Sequence, residues 1–184
     1  MTNQKPENAT EGGPVIHGTL EMLEDQVYLR FELNLDHAVE SVWRAVSVPD
    51  ELRRWFPGAV DWTPESGETF EAGGALLEVT EVDVPHHLAW TYAGQLQSFE
   101  LVDVGDGCRL TFVHVFDDLP LAAQTAAGWE SYLMRLDPHL RGEHLTEANA
   151  HGQWAEIHEL YAERFGVDPE PGRKFAEALR SAES

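Results

Sequence analysis

The chain reads as an α+β protein in which an antiparallel sheet wraps a long helix near residues 120–141. Three observations predict it. Between Val27 and Leu35 the sequence alternates: Val27, Leu29, Phe31, Leu33 and Leu35 point one way, and Tyr28, Arg30, Glu32 and Asn34 the other. A period of two with one apolar face is the pattern of a half-buried strand. Further on, strand-like runs are separated by turn residues at the spacing of a meander. Last, Ala122, Ala126, Trp129, Leu133, Leu136 and Leu140 recur at helical spacing, forming the longest apolar stripe available to cover the open sheet face.

From Val15 to Leu35 two strand-like runs flank a polar break at Glu24–Asp25. Asp36 then offers an N-cap for a short helix in which Val39, Val42, Trp43 and Val46 share a face. Pro49–Asp50 breaks that helix and opens a second, Glu51–Trp55, which Pro57 and Gly58 stop. Strands are expected at Ala59–Thr63, Glu68–Glu71, Ala75–Val82, His87–Ala93, Leu96–Val104 and Arg109–Phe116, with Gly105-Asp106-Gly107 as a hairpin turn. Asp117–Asp118 and Pro120 mark the start of the long helix. Ala126, Ala127 and Gly128 allow it a close approach; Pro138 kinks its last turn and Gly142 ends it. A second amphipathic helix is expected over Asn149–Phe165, with Trp154, Ile157, Tyr161 and Phe165 on one face and Gly166 as its stop. A short, charged, frayed helix follows to Ser184. The expected organisation is therefore a flexible tail at 1–14, one domain at 15–142 and a helical extension at 143–184 packed on or beside it.

The bulk composition narrows the function classes. Acidic residues number 33 against 12 basic, a formal net charge of −21, which would repel a nucleic-acid duplex or an anionic membrane. No apolar run approaches the ~20 residues that span a bilayer, and residues 1–14 lack the hydrophobic stretch of a signal peptide. The cytoplasm is the expected compartment. One cysteine, Cys108, excludes an intrachain disulfide and a cysteine-based zinc finger. With only two lysines, Lys5 and Lys174, the acidity reads either as a solvated surface or as salt adaptation.

The order hairpin, two short helices, strand meander, long helix resembles the helix-grip fold of the START/Bet v 1-like (SRPBCC) superfamily. The wording "VWRAVSVPDELRRWFP" (Val42–Pro57), "SFELVDVGDGCRLTFVHVFDD" (Ser98–Asp118) and "GWESYLMRLDPHLRG" (Gly128–Gly142) is similar to the branch of the Activator of Hsp90 ATPase homologue 1 C-terminal domain. The resemblance covers roughly residues 15–142 and extends to "WAEIHELYAERFG" (Trp154–Gly166). It implies a curved antiparallel sheet gripping the long helix, and a cavity between them that in many relatives receives an apolar or aromatic ligand. Such domains often pair, so a homodimer is compatible with it. The eukaryotic relatives act on Hsp90, but this chain shows no recognisable second, N-terminal domain for that job, and its acidic surface adds no support for the partnership.

Within that frame His114 is the most suggestive polar residue, set among Leu110, Phe112 and Phe116 on the inner face. It reads first as a core or cavity histidine satisfied by a neighbouring group, and second as a ligand contact or an acid or base near neutral pH. Trp43, Trp55, Phe56, Trp90, Phe99 and Trp129 either line a pocket by stacking or are plain core, and Tyr92 and Tyr132 offer polar handles. The expected ligand-binding set is His114, Trp129, Leu133, Trp90, Phe112, Phe99, Trp55 and Trp43. The nine histidines show no HExxH or paired ligand spacing, so neither a metal nor a cofactor is expected. No GxSxG motif and no phosphate-binding glycine pattern is present. The expected function is a non-catalytic hydrophobic-ligand-binding or chaperone-associated domain. Two alternatives stay open: a polyketide cyclase/aromatase-like enzyme using the same cavity, and a protein-interaction domain with a filled core.

Overall fold

The computed structural model describes residues 16–58 and 60–182, so the expected tail at 1–14 and the end of the last helix lie outside the described residues. Seven strands form one antiparallel sheet: β1 (His17–Leu23), β2 (Gln26–Leu35), β3 (Thr69–Ala72), β4 (Ala75–Asp83), β5 (His87–Tyr92), β6 (Gln95–Asp103) and β7 (Cys108–Phe116). Their spatial order is β1-β2-β7-β6-β5-β4-β3. A register shift between Val79 and Glu81 bends β4 where it pairs with β5. The alternation in β2 does what it predicts: Val27, Leu29, Phe31, Leu33 and Leu35 are all buried. Pairing carries that inner face across the sheet. Leu29 stands opposite His114, His114 opposite Gln97, Gln97 opposite Trp90 and Trp90 opposite Val79.

Helices α1 (Val39–Ser47) and α2 (Pro49–Leu52) follow the first hairpin, as the resemblance implies. Asp36 is not the cap of α1; Ala38 occupies the N-cap and no side chain caps the helix. Trp55 and Trp62 anchor the stretch after it through indole bonds to Ala45 O (2.9 Å) and Ser47 O (2.7 Å). Those bonds hold residues 60–63 against α1 as irregular chain, so the strand expected at Ala59–Thr63 does not form among the described residues.

After a 3-10 turn at Leu119–Leu121, the long helix is two pieces, α3 (Ala122–Leu133) and α4 (Leu136–Leu140). The break lies a turn ahead of Pro138, and the physical reason is local. Proline has no N–H for the carbonyl four residues back, which is that of Met134, and its ring crowds that carbonyl. Arg135, 7% exposed, uses the break: Nη2 donates to Arg54 O (2.9 Å), Nη1 to Trp55 O (3.3 Å) and Nε to Leu145 O (3.0 Å). Gly142, with φ +76°, then ends α4. Ala122, Ala123, Ala126 and Ala127 are buried, and α3 packs closely against α6, but Gly128 faces open space and makes no close contact.

The expected helix over Asn149–Phe165 is also divided, into α5 (Glu147–His151) and α6 (Trp154–Phe165), and Gly166 ends α6 in the left-handed region. Tyr161 ties α6 to the sheet and to α3: its hydroxyl accepts from Gly18 N (2.6 Å) and donates to Glu130. Helix α7 (Glu170–Ala182) starts two residues ahead of the segment expected, taking in Glu170 and Pro171, and is anchored on α6. Arg173 reaches Glu159 at 2.8 Å and Glu170 at 2.9 Å, and Gly172 lies against the buried ring of His158.

Candidate functional site

The site grows from the same inner face that makes the core. Trp90 and Tyr92 on β5, Gln97 on β6 and Leu77 on β4 point inward by strand alternation. Trp129, on the sheet-facing side of α3, lies over them. Phe56 closes the group from the segment after α2, its ring 5.6 Å from Trp129 and 6.1 Å from Trp90. Between these rings and the β3–β4 turn at Ala72–Gly73 lies a partly open pocket of about 400 Å³. Pro57, Gly58 and Val60 form its remaining rim.

Behind the pocket runs a polar chain within an apolar core. Trp129 Nε1 donates to His114 Nδ1 at 3.0 Å, and His114 Nε2 pairs with Gln95 Oε1 at 2.9 Å. An indole N–H can only donate, so Nδ1 is the acceptor and the proton of the neutral imidazole sits on Nε2. Burial lowers the His114 pKa to about 4, and the ring stays neutral near pH 7. One strand over, Trp90 Nε1 donates to Gln97 Oε1 at 3.1 Å. That bond sets the orientation of the amide and leaves its NH₂ group without a partner among the described residues, although Gln97 is 6% exposed.

Of the residues expected to bind a ligand, Trp90 and Trp129 meet at this pocket. Phe99, Phe112, Trp55 and Leu133 are buried in solid core, with Phe112 4.4 Å from the Trp129 ring and Phe99 5.2 Å from Trp90. Trp43 is half-buried on α1. His114 supports Trp129 from behind, and both of its nitrogens are engaged. Gln97, Leu77 and the Ala72–Gly73 turn were not expected at the site. For Gln97 a signal existed: a polar residue in step with the inward Phe99 and Leu101. Cys108 is fully buried at the start of β7, and burial pushes its thiol up to about 11, which removes it as a nucleophile. Among the described residues no group of three or more histidine, cysteine or acidic side chains converges as a metal site.

Residues 36–141 match the family model described as Activator of Hsp90 ATPase homolog 1-like protein, more than half of the chain. The chain belongs to that family. Among curated proteins none matches the sequence. Solved structures do match. CalU16 from Micromonospora echinospora is 22% identical with a TM-score of 0.67, covering 84% of this chain and 99% of its own. DynU16, from the dynemicin biosynthetic locus, is 23% identical with a TM-score of 0.56, over 63% of this chain and 48% of its own. The Aha1 dimer from Colwellia psychrerythraea is 20% identical with a TM-score of 0.53, over 61% and 95%. At these identities the likeness is one of fold, and it agrees with the helix-grip architecture.

Proposed function

We propose that this chain is a binding protein for a flat, largely apolar small molecule, held between the β3–β6 end of the sheet and Trp129 and acting in the cytoplasm. The observation that carries the reading is the pocket of about 400 Å³ walled by Phe56, Trp90, Tyr92 and Trp129. Its size falls within the range of small-molecule sites, and aromatic faces favour stacking on a planar partner. Tyr92 is the one titratable side chain among the described lining residues, which supports binding over acid–base catalysis. The occurrence of DynU16 in a biosynthetic locus supports a metabolic intermediate as the occupant. The dimeric Colwellia neighbour supports self-association, which sedimentation velocity reads directly. A chaperone partner of the Hsp90 type has only the family description behind it. For the compartment, no helix among the described residues is long and apolar enough to cross a membrane.

Thermal unfolding with three-ring aromatic probes tests the reading. A ligand at a hundredfold its Kd stabilises by about 2.7 kcal/mol, which raises Tm by roughly 5–10 °C in a chain of this size. Ala72→Trp, which fills the pocket mouth from an edge strand, removes the shift while leaving the unliganded Tm near wild type. No shift with any probe, or a shift that survives Ala72→Trp, sinks the reading.

A further inference from the structure

We infer that Gln97 is the polar anchor of this pocket and that the ligand presents to it a neutral hydrogen-bond acceptor, a ring carbonyl being the fitting chemistry. The inference rests on the binding reading above and names what that pocket selects. Gln97 is 6% exposed and lines the pocket from β6, directly across from Trp90 on β5. Because the Trp90 indole N–H can only donate, the atom it meets at 3.1 Å is the amide oxygen of Gln97. The NH₂ group is therefore the part of Gln97 left to the pocket, and it has no partner among the described residues. The amide nitrogen is open to the pocket and not sealed in the core, so a ligand acceptor would take the place of water there.

The surrounding groups narrow the ligand further. His114, the neighbour of Gln97 on β7, has its Nδ1 occupied by Trp129 and its Nε2 by Gln95, so it offers nothing to a bound molecule. A donor-only group, such as an ammonium, would face an amide that is itself a donor. A carboxylate would have to approach a chain of net charge −21, whose field repels anions. What remains is a planar, uncharged molecule with a carbonyl on or near its ring system. The four aromatic walls hold its faces, and Gln97 sets which edge goes in.

The matched probes 9-fluorenone and fluorene share three fused rings and differ by the carbonyl, and equilibrium dialysis measures both. Gln97→Glu at pH 8 keeps an oxygen for Trp90 and removes the NH₂ donor. A second variant, Gln97→Met, removes the donor while keeping the length of the side chain and leaving the aromatic walls untouched. The expected result is a 5- to 10-fold weaker Kd for 9-fluorenone in each variant, with the fluorene Kd within twofold of wild type. Equal changes for both probes, or no change for either, overturn the anchor role while leaving the pocket reading intact. Failure of the wild-type protein to bind either probe overturns both.

Discussion

Trp129 Nε1 donates to His114 Nδ1 at 3.0 Å, which couples the helix wall of the pocket to strand β7 of the sheet. The bond exists only while the imidazole is neutral, because a protonated ring has no acceptor. His114 therefore serves as a support whose state depends on pH. Its folded pKa of about 4 lies below the ordinary 6.5, and the cause is burial.

The sign follows from linkage. Between about 4 and 6.5 the unfolded chain binds the proton that the folded chain excludes, so stability present above pH 6.5 is lost as pH falls through that window. Once both values are passed, the loss amounts to about 3 kcal/mol. His158, also lowered by burial, acts in the same direction. The ring C2–H resonance of His114 should titrate with a midpoint near 4, and His114→Gln should flatten the stability profile between pH 6.5 and 4. A midpoint near 6.5 contradicts the account.

Arg135 gathers the carbonyls of Arg54, Trp55 and Leu145 at the gap between α3 and α4. Arg135→Met keeps much of the stem and strands these acceptors. The expected cost is about 3 kcal/mol or more, hence a fall in Tm of roughly 10 °C, measured by calorimetry. A change under about 1 kcal/mol means that water replaces the guanidinium at little cost.

At Gly172 a Cβ would stand 2.0 Å from His158 Nε2 and 2.5 Å from its Cδ2 and Cε1. His158 is held from its other side by Trp154, stacked at 5.1 Å and 8°. Gly172→Ala should push α7 off α6, costing about 1–3 kcal/mol and exposing α7 to limited proteolysis. In an unhindered helix the same change would stabilise by up to about 1 kcal/mol, so the sign of the effect decides.

The fold was legible wherever a local rule acted alone. The alternation in β2, the glycine-rich turn between β6 and β7 and the stop at Gly166 each express a backbone preference that neighbours do not override. The division of the long helix was less legible, because proline acts on a carbonyl four residues back and the gap is completed by Arg54 and Trp55, some 80 residues away. The site divided in the same way. The aromatic character of Trp90 and Trp129 was visible in the chain. Which rings face a void and which fill the core depends on how α3 sits, as Phe99 and Phe112 demonstrate. His114 was conspicuous as an inward polar residue, but its partner Trp129 comes from another element. Gln97 stood out only as a polar residue in step with Phe99 and Leu101, and its role depends on Trp90, from the neighbouring strand, taking its oxygen.

Charge gives a separate expectation. With a net of −21 spread over the chain, screening relieves self-repulsion in the folded state. Tm should rise between low and molar NaCl, and a flat or falling Tm contradicts it.

The binding pocket itself is tested most directly by the indole N–H resonances of a ¹⁵N-labelled sample titrated with 9-fluorenone. Trp90 and Trp129 line the pocket, whereas Trp154 packs at the α6–α7 contact and serves as an internal control. The account predicts that the Trp90 and Trp129 signals shift and saturate together while Trp154 stays fixed. Unmoved Trp90 and Trp129 signals at saturating probe, or a shift confined to Trp154, would contradict it.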